Sequence, residues 1–388
     1  MKTVAVDAMG GDHAPEAIIE GAIAAARELR IPVTLVGDRE KIAHELGRHR
    51  RVRDLPIHVR HASQMVEMDD SPVEALRRKR DSSIRVGFAL VRSGDADAFV
   101  SAGNSGAVMA AAVMLLGNLP GVDRPAIALE LPSRRGHATL IDGGANVECA
   151  PLNLVQFAVM GDVFARSVRG LLSPRIGIVS NGAEETKGTE LTRAADRALR
   201  QLPLNYVGYI EGRDINAGNV DVAVTDGFTG NAILKSLEGL GSFVQFLLRQ
   251  MFERNLKNKL AYLLLKKDLD RIRQALDYDA VGGAPLLGVK GVTIIAHGSS
   301  SPKAIKNAIR VAADAARKNL IAEIAGGLRA VPEIHELPSA VPRGGGRFWQ
   351  QLKGRFRRDG KADRNGDARG EGAEDSGVPE EEDAPKRD

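Results

Sequence analysis

Six glycine-containing turns, each placed where a β-rich run ends, constrain this chain more than any other feature. They read Asp7-Ala8-Met9-Gly10-Gly11-Asp12, Ser101-Ala102-Gly103-Asn104-Ser105-Gly106, Asp142-Gly143-Gly144-Ala145-Asn146, Ser180-Asn181-Gly182-Ala183-Glu184-Glu185-Thr186-Lys187-Gly188, Asp226-Gly227-Phe228-Thr229-Gly230-Asn231 and His297-Gly298-Ser299-Ser300-Ser301. Most lead into a helix-like stretch. Glycine lets the backbone approach a ligand closely, and free N–H groups at a helix start favour an anion. In an open α/β sheet such loops gather at the carboxyl edge of the strands, where ligands bind. The turns therefore predict one cleft for a phosphate-like anion, built from several loops.

The segments between the turns alternate. Residues 33–36, 57–59, 98–101, 176–179, 206–210, 220–225 and 292–296 read as strands. Residues 14–30, 72–91 (with a break near Ser82), 105–116, 151–168, 189–202 and 302–325 read as helices, and 126–131 with 138–141 as a β-hairpin. Alternation of this kind predicts an α/β fold with a mostly parallel sheet covered on both faces. Residues 229–277 break the rhythm and read as two long helices, with a weak point near 255–259. Phe243, Val244, Phe246, Leu247, Leu248, Met251 and Phe252 on the first, and Leu260, Leu263, Leu264 and Leu265 on the second, exceed one amphipathic stripe. This protruding hairpin is either a core or dimer seam, which is favoured, or a tip at a bilayer with Lys257, Lys259, Lys266 and Lys267 at the headgroups. A catalytic domain over 1–332 is expected, then a charged tail over 333–388 that reads as disordered. In the tail, residues 343–369 hold nine Lys/Arg against three Asp, and 370–388 two against eight acidic residues. Its 344–353 stretch is either a basic amphipathic anchor or plain solvated chain.

Composition excludes several classes. A net charge of +4 in 388 residues is too small to argue for nucleic acid, and no RNA- or DNA-binding signature appears. One cysteine, Cys149, rules out an internal disulfide framework or a multi-cysteine zinc site and fits a reducing cytoplasm. Eight scattered histidines show no ligand spacing. The dinucleotide fingerprint and the P-loop are both missing.

Several residues remain as candidates for chemistry. Gly103-Asn104-Ser105-Gly106 is one residue short of a nucleophile elbow, so Ser105 reads as an N-cap offering its hydroxyl and N–H to the helix start or to a ligand. Cys149 reads as a small buried residue rather than a nucleophile. Lys187, in a glycine-flanked loop, is either a phosphate-binding point charge or a surface lysine paired with Glu184 and Glu185. His297 is either a general acid or a structural histidine. Asn104, Asn146, Asn181 and Asn231 put one amide in each of four turns, suited to an oxyanion but also common in turns.

Taken in order, these motifs resemble a known family. Val6-Asp7-Ala8-Met9-Gly10-Gly11-Asp12-His13-Ala14-Pro15 is similar to the opening of the bacterial phosphate acyltransferases. The turns at 101–107, 142–146, 182–188 and 225–231 resemble that family's later motifs, and the match runs from about residue 1 to about residue 330. The resemblance implies a three-layer sheet like that of phosphotransacetylase and of isocitrate and isopropylmalate dehydrogenase. It implies a cytoplasmic homodimer able to meet the membrane face. It implies transfer of a long acyl chain from acyl carrier protein to inorganic phosphate, feeding a membrane glycerol-3-phosphate acyltransferase in phospholipid synthesis, with no cofactor or metal. On this reading Lys187, with N–H groups at Gly10, Gly11, Gly103, Asn104 and Ser105, holds phosphate. Asn181 or Asn231 faces the oxyanion and His297 protonates the leaving thiolate. Gly143, Gly144, Asn146, Gly182, Gly227 and Gly230 complete the substrate-contacting set. Asp7, Asp12, Asp142 and Asp226 orient loop N–H groups, since a nearer carboxylate would repel phosphate. Arg77-Arg78-Lys79-Arg80 and the hairpin lysines are candidate docking sites for the acidic carrier. Three rivals stand beside it: a short-chain acyl-CoA phosphotransacylase, a metal-dependent decarboxylating dehydrogenase, and a non-enzymatic membrane-surface scaffold.

Overall fold

The computed structural model describes residues 2–275 and 282–331. The tail expected at 333–388, its anchor stretch and the last residues of the hairpin lie outside the described residues. Among those described, the chain runs β1 (Val4–Asp7), α1 (Glu16–Glu28), β2 (Val33–Gly37), α2 (Arg39–Gly47), β3 (Ile57–His61), α3 (Pro72–Arg78), α4 (Ser83–Ser93) and β4 (Ala98–Ser101). It continues with α5 (Ser105–Ala111), β5 (Ala126–Ser133), β6 (Gly136–Ile141), α6 (Pro151–Arg169), β7 (Ile176–Val179), α7 (Glu190–Leu199), β8 (Tyr206–Ile210), α8 (Gly212–Ala217) and β9 (Val222–Val224). The remainder is α9 (Gly227–Glu253), α10 (Leu256–Ala275), β10 (Ala284–Leu287), β11 (Val292–Ile295), α12 (Pro302–Arg317) and α13 (Leu320–Arg329).

The strands form one eleven-stranded sheet in the order β3-β2-β1-β4-β11-β10-β5-β6-β9-β7-β8. Pairing is parallel within the first five and within the last four, and antiparallel where β10 and β5 join them. Strand β10 is the joint: Ala284 and Pro285 pair with β11, while Leu286 and Leu287 pair with β5.

Alternation along the strands produces the three layers. Val4 and Val6 of β1 and Ala98 and Val100 of β4 pack with Ile18 and Ile19 of α1 and with Ile305 and Ile309 of α12. Phe99, between Ala98 and Val100, points the other way and meets Phe88 of α4, ring centroids 4.6 Å apart. In the second half Ile141, Val222, Val224, Ile176 and Ile178 join Phe157 and Val159 of α6, while Leu140, Ala223 and Ile210 form a separate cluster on the opposite face. Small residues let the helices come close. A Cβ at Gly21 of α1 would stand 2.6 Å from Ile305 Cβ in α12.

Most of the expected elements are present. The break near Ser82 separates α3 from α4, and Ser82 caps α4 by accepting the Arg85 N–H. Two expectations change. The helix expected over 302–325 is two, because Asn319 takes a left-handed φ of 50° between α12 and α13. The helix expected over 105–116 finishes in a π-helical turn over Ala112–Leu116. Helices α2 and α8 and strand β10 were not legible as elements.

Candidate active site

The sheet separates the six turns into two groups. Turns after β1, β4 and β11 leave at one level, since Val6 aligns with Val100 and Val100 with Ile294. Turns after β6, β9 and β7 leave at another, with Ile141, Val224 and Ile178 in register. Three successive antiparallel pairings stand between β11 and β6, so strand direction reverses there. This corrects the expectation of one shared carboxyl edge. Among the described residues, no hydrogen bond ties one group to the other. The expected partnership of Lys187 with Gly10, Gly11 and Gly103–Ser105 is not made by any described contact.

The first group is bound together tightly. The buried Asp7 carboxylate accepts from the Met9 N–H at 3.1 Å and from Ser101 Oγ at 2.8 Å, and Ser101 Oγ in turn accepts the Gly103 N–H at 3.1 Å. Burial pushes the Asp7 carboxyl up, against the hydrogen bonds it accepts. A Cβ on Gly10 would lie 2.6 Å from Asp7 Oδ2 and 2.7 Å from the Gly103 nitrogen, so only glycine lets these two turns touch. Gly11 has a φ of 112°, and the Asp12 N–H donates to the Gly298 carbonyl at 2.8 Å, joining the third turn. The Asp12 side chain makes no hydrogen bond among the described residues, so it does not orient loop N–H groups as expected. It opens instead on a groove of about 1040 Å³ shared with Ser299, His13, Glu16, Lys41 and His44, which no sequence signal marked.

Asn104, not Ser105, is the N-cap of α5: its Oδ1 accepts the Ala107 N–H at 3.0 Å. Its Nδ2 donates to the carbonyls of Glu67, Met68 and Asp70. The Asn104 side chain is therefore consumed by structure, and the first helical residue is Ser105. The backbone N–H groups of Gly11, Asn104 and Ser105 carry no hydrogen bond among the described residues. His297 is exposed, and its Nδ1 accepts the Ser299 N–H at 3.3 Å with Ser299 Oγ at 2.7 Å. An Nδ1 that accepts places the proton of the neutral ring on Nε2.

In the second group Asp142 is the organiser. Its Oδ1 accepts from the N–H groups of Ile127, Gly144 and Ala145, and its Oδ2 from the N–H and Nδ2 of Asn146. Burial pushes this carboxyl up too, against those five bonds. The Gly143 N–H donates to Ile127 O, so the N–H groups of Gly143, Gly144 and Asn146 are all engaged internally rather than offered to a ligand. Gly227 donates to Asn146 O at 2.7 Å, and a Cβ at Gly230 would overlap the Asp142 carbonyl oxygen. Asp226 caps α9, accepting the Thr229 N–H and hydroxyl. Asp7, Asp142 and Asp226 thus each accept backbone N–H groups of their own turns.

This group also offers open side-chain donors. Asn231 lies over Gly144, with Oδ1 3.8 Å from the site of a Cβ there, and its amide makes no hydrogen bond among the described residues. Asn181 Oδ1 accepts the Gly188 N–H at 2.9 Å, and its Nδ2 makes no hydrogen bond among the described residues. Lys187 is exposed and its ammonium forms no ion pair among the described residues; Glu185 reaches Arg200 instead, at 3.6 Å. Gly182 packs against the Lys187 side chain, 2.9 Å from its Cγ at the Cβ position. Burial, with the Asp142 and Asp226 carboxylates near, pushes the Cys149 thiol up, so thiolate chemistry is suppressed there. Among the described residues no cluster of three metal-ligating side chains occurs.

The sequence model of the fatty acid synthesis protein family matches residues 2–323. A phosphate acyltransferase from Anaeromyxobacter sp. (strain Fw109-5) is 55% identical over 322 residues, 83% of this chain and 89% of the relative. One from Geotalea daltonii is 53% identical over 317 residues, 82% and 91% of the two chains. Among solved structures, the EutD phosphotransacetylase of Staphylococcus aureus aligns with a TM-score of 0.51 at 16% identity, over 81% of this chain and 94% of that one. A branched-chain phosphotransacylase from Enterococcus faecalis aligns at 0.52 and 16%, over 81% and 99%. The fold is thus that of the phosphotransacylases.

Proposed function

This chain belongs to the phosphate acyltransferase family, and on that premise we propose that it moves a long acyl chain from acyl carrier protein to inorganic phosphate, releasing acyl phosphate. It is an acyltransferase of phospholipid synthesis. The observation that carries the finer reading is the first group of turns. There Gly10 meets the Gly103 turn and Gly11 the Gly298 carbonyl, so the turns bearing the open N–H groups of Gly11, Asn104 and Ser105 are packed against the turn that carries His297. Backbone amides of this kind hold a phosphate without a competing charge.

Phosphate is already a nucleophile at neutral pH, so the protein has to position it and stabilise the thioester oxygen as charge develops. One phosphate oxygen attacks the thioester carbon, the carbon–sulfur bond breaks, and the electron pair leaves on the pantetheine sulfur. His297 Nε2 donates a hydrogen bond to that thiolate, which takes its proton from solvent after it leaves. Asn181 Nδ2, Asn231 and Lys187 are the donors for the oxyanion, which moves Lys187 from the phosphate to the transition state. The reading requires both groups of turns to reach one reacting centre. The protein acts as a cytoplasmic homodimer that meets the membrane face and delivers acyl phosphate to a glycerol-3-phosphate acyltransferase there.

The test incubates pure protein with palmitoyl carrier protein and phosphate and traps acyl phosphate with hydroxylamine. Product without added metal or nucleotide is expected. Product from acetyl-CoA but not from palmitoyl carrier protein would move the chain to the short-chain reading. Lys187→Ala should lower kcat roughly 10²-fold, the scale of one lost oxyanion donor, with phosphate KM nearly unchanged. A large rise in phosphate KM instead would return Lys187 to the phosphate.

A further inference from the structure

Met68 is a large apolar side chain that the fold holds half in solvent, at 47% exposure, beside the first group of turns. Its terminal methyl lies 3.0 Å from where a Cβ on Gly298 would be, and the Asp12 carboxylate lies 3.3 Å from the same point. Met68 therefore covers the backbone between His297 and Ser299. A single exposed apolar residue on a surface requires no explanation. Here the segment bearing it is held by more bonds than a surface turn requires. Asn104 Nδ2 reaches the carbonyls of Glu67, Met68 and Asp70, at 3.3, 3.0 and 3.0 Å. Asp70 Oδ2 accepts the Glu67 N–H at 2.7 Å and the Lys79 ammonium at 2.6 Å. The residue that caps α5 at the proposed phosphate turns is thus the same residue that fixes Met68 over the neighbouring turn.

We propose that Met68 is a specificity-determining residue of the donor site, packing on the alkyl chain next to the thioester. The inference rests on the donor reading above. The reacting carbon has to approach phosphate to bonding distance, so the first methylenes of the acyl chain lie beside the amides that hold phosphate. A pre-ordered thioether there gives those methylenes an apolar contact without a large ordering cost. An unbranched, polarisable side chain adapts to chains of different shape. The two polar neighbours, Asp12 and His297, offer an alkyl chain nothing comparable.

The experiment compares wild type, Met68→Ala and Met68→Leu with acetyl carrier protein, whose acyl group has no methylene, and palmitoyl carrier protein as donors. Met68→Ala should raise the palmitoyl KM about five- to tenfold, the scale of one lost apolar contact. Acetyl KM, phosphate KM and thermal midpoint should stay near wild type, and Met68→Leu should restore palmitoyl KM to within about twofold. An equal rise for both donors, or none for either, would overturn the proposal. Anisotropy of labelled palmitoyl carrier protein in phosphate-free buffer gives a second readout. Weaker binding to Met68→Ala than to wild type supports the contact even if no acyl phosphate forms, whereas equal binding refutes it. Failure of wild type to make acyl phosphate refutes the donor reading separately.

Discussion

At the scale of single residues, the site depends on places where no side chain fits and on buried carboxylates that gather backbone N–H groups. Gly230 shows the first. It sits in the first turn of α9, where a Cβ would overlap a carbonyl oxygen of the Asp142 turn, and backbone cannot step aside. Gly239, in the same helix, faces open space. Gly230→Ala should cost about 1–3 kcal/mol by overpacking. Gly239→Ala should add about 0.5–1 kcal/mol through helix propensity. Denaturant melts of the two variants check this, and equal effects would mean that the Asp142 turn yields. Such turns were legible as motifs, yet their roles were not. Asn104 reads as a ligand amide by its setting. Only the fold shows that both ends of its side chain are already committed.

Among elements, the pairing of β6, β9 and β7 is locked at its far end by Arg175 and Asp221. Asp221 accepts from the Arg175 N–H and Nε at 2.9 Å each and from Nη2 at 3.0 Å. Burial alone would raise the Asp221 carboxyl, but these hydrogen bonds and the Arg175 charge outweigh it and hold the group below its ordinary value. A depressed carboxylate adds stability above its unfolded pKa, and that stability is lost as pH falls through the folded value. Asp221→Asn should therefore cost about 1–3 kcal/mol at pH 7. The gap to wild type should narrow at acidic pH, below the ordinary carboxylate range. A gap that stays constant from pH 7 into that range would assign the cost to shape rather than charge. Elements with strong local signals, such as α6 and β8, were readable almost to the residue. Strand β10 was not, because four residues that pair half with β11 and half with β5 have no periodicity of their own.

For the whole molecule, the question is what covers the α9–α10 hairpin. Phe243, Leu263 and Leu264 are 56%, 65% and 79% exposed, too much apolar surface for a free helix pair. No helix among the described residues is long and apolar enough to cross a membrane. Replacing Leu263 and Leu264 together by glutamate should convert a dimer to monomer in sedimentation. An intact dimer that no longer floats with anionic vesicles would assign the surface to lipid instead.

The sequence by itself determined the alternation of strands and helices, the positions of the six turns and, through their order, the family. Those signals are local: a glycine at a strand end or an apolar period of two or 3.6 is written in neighbouring residues. Tertiary structure alone decided that the turns divide into two groups, because strand order and direction are set by pairings between residues far apart in the chain. It also decided which amides remain open, since a donor is free only if nothing distant has already claimed it.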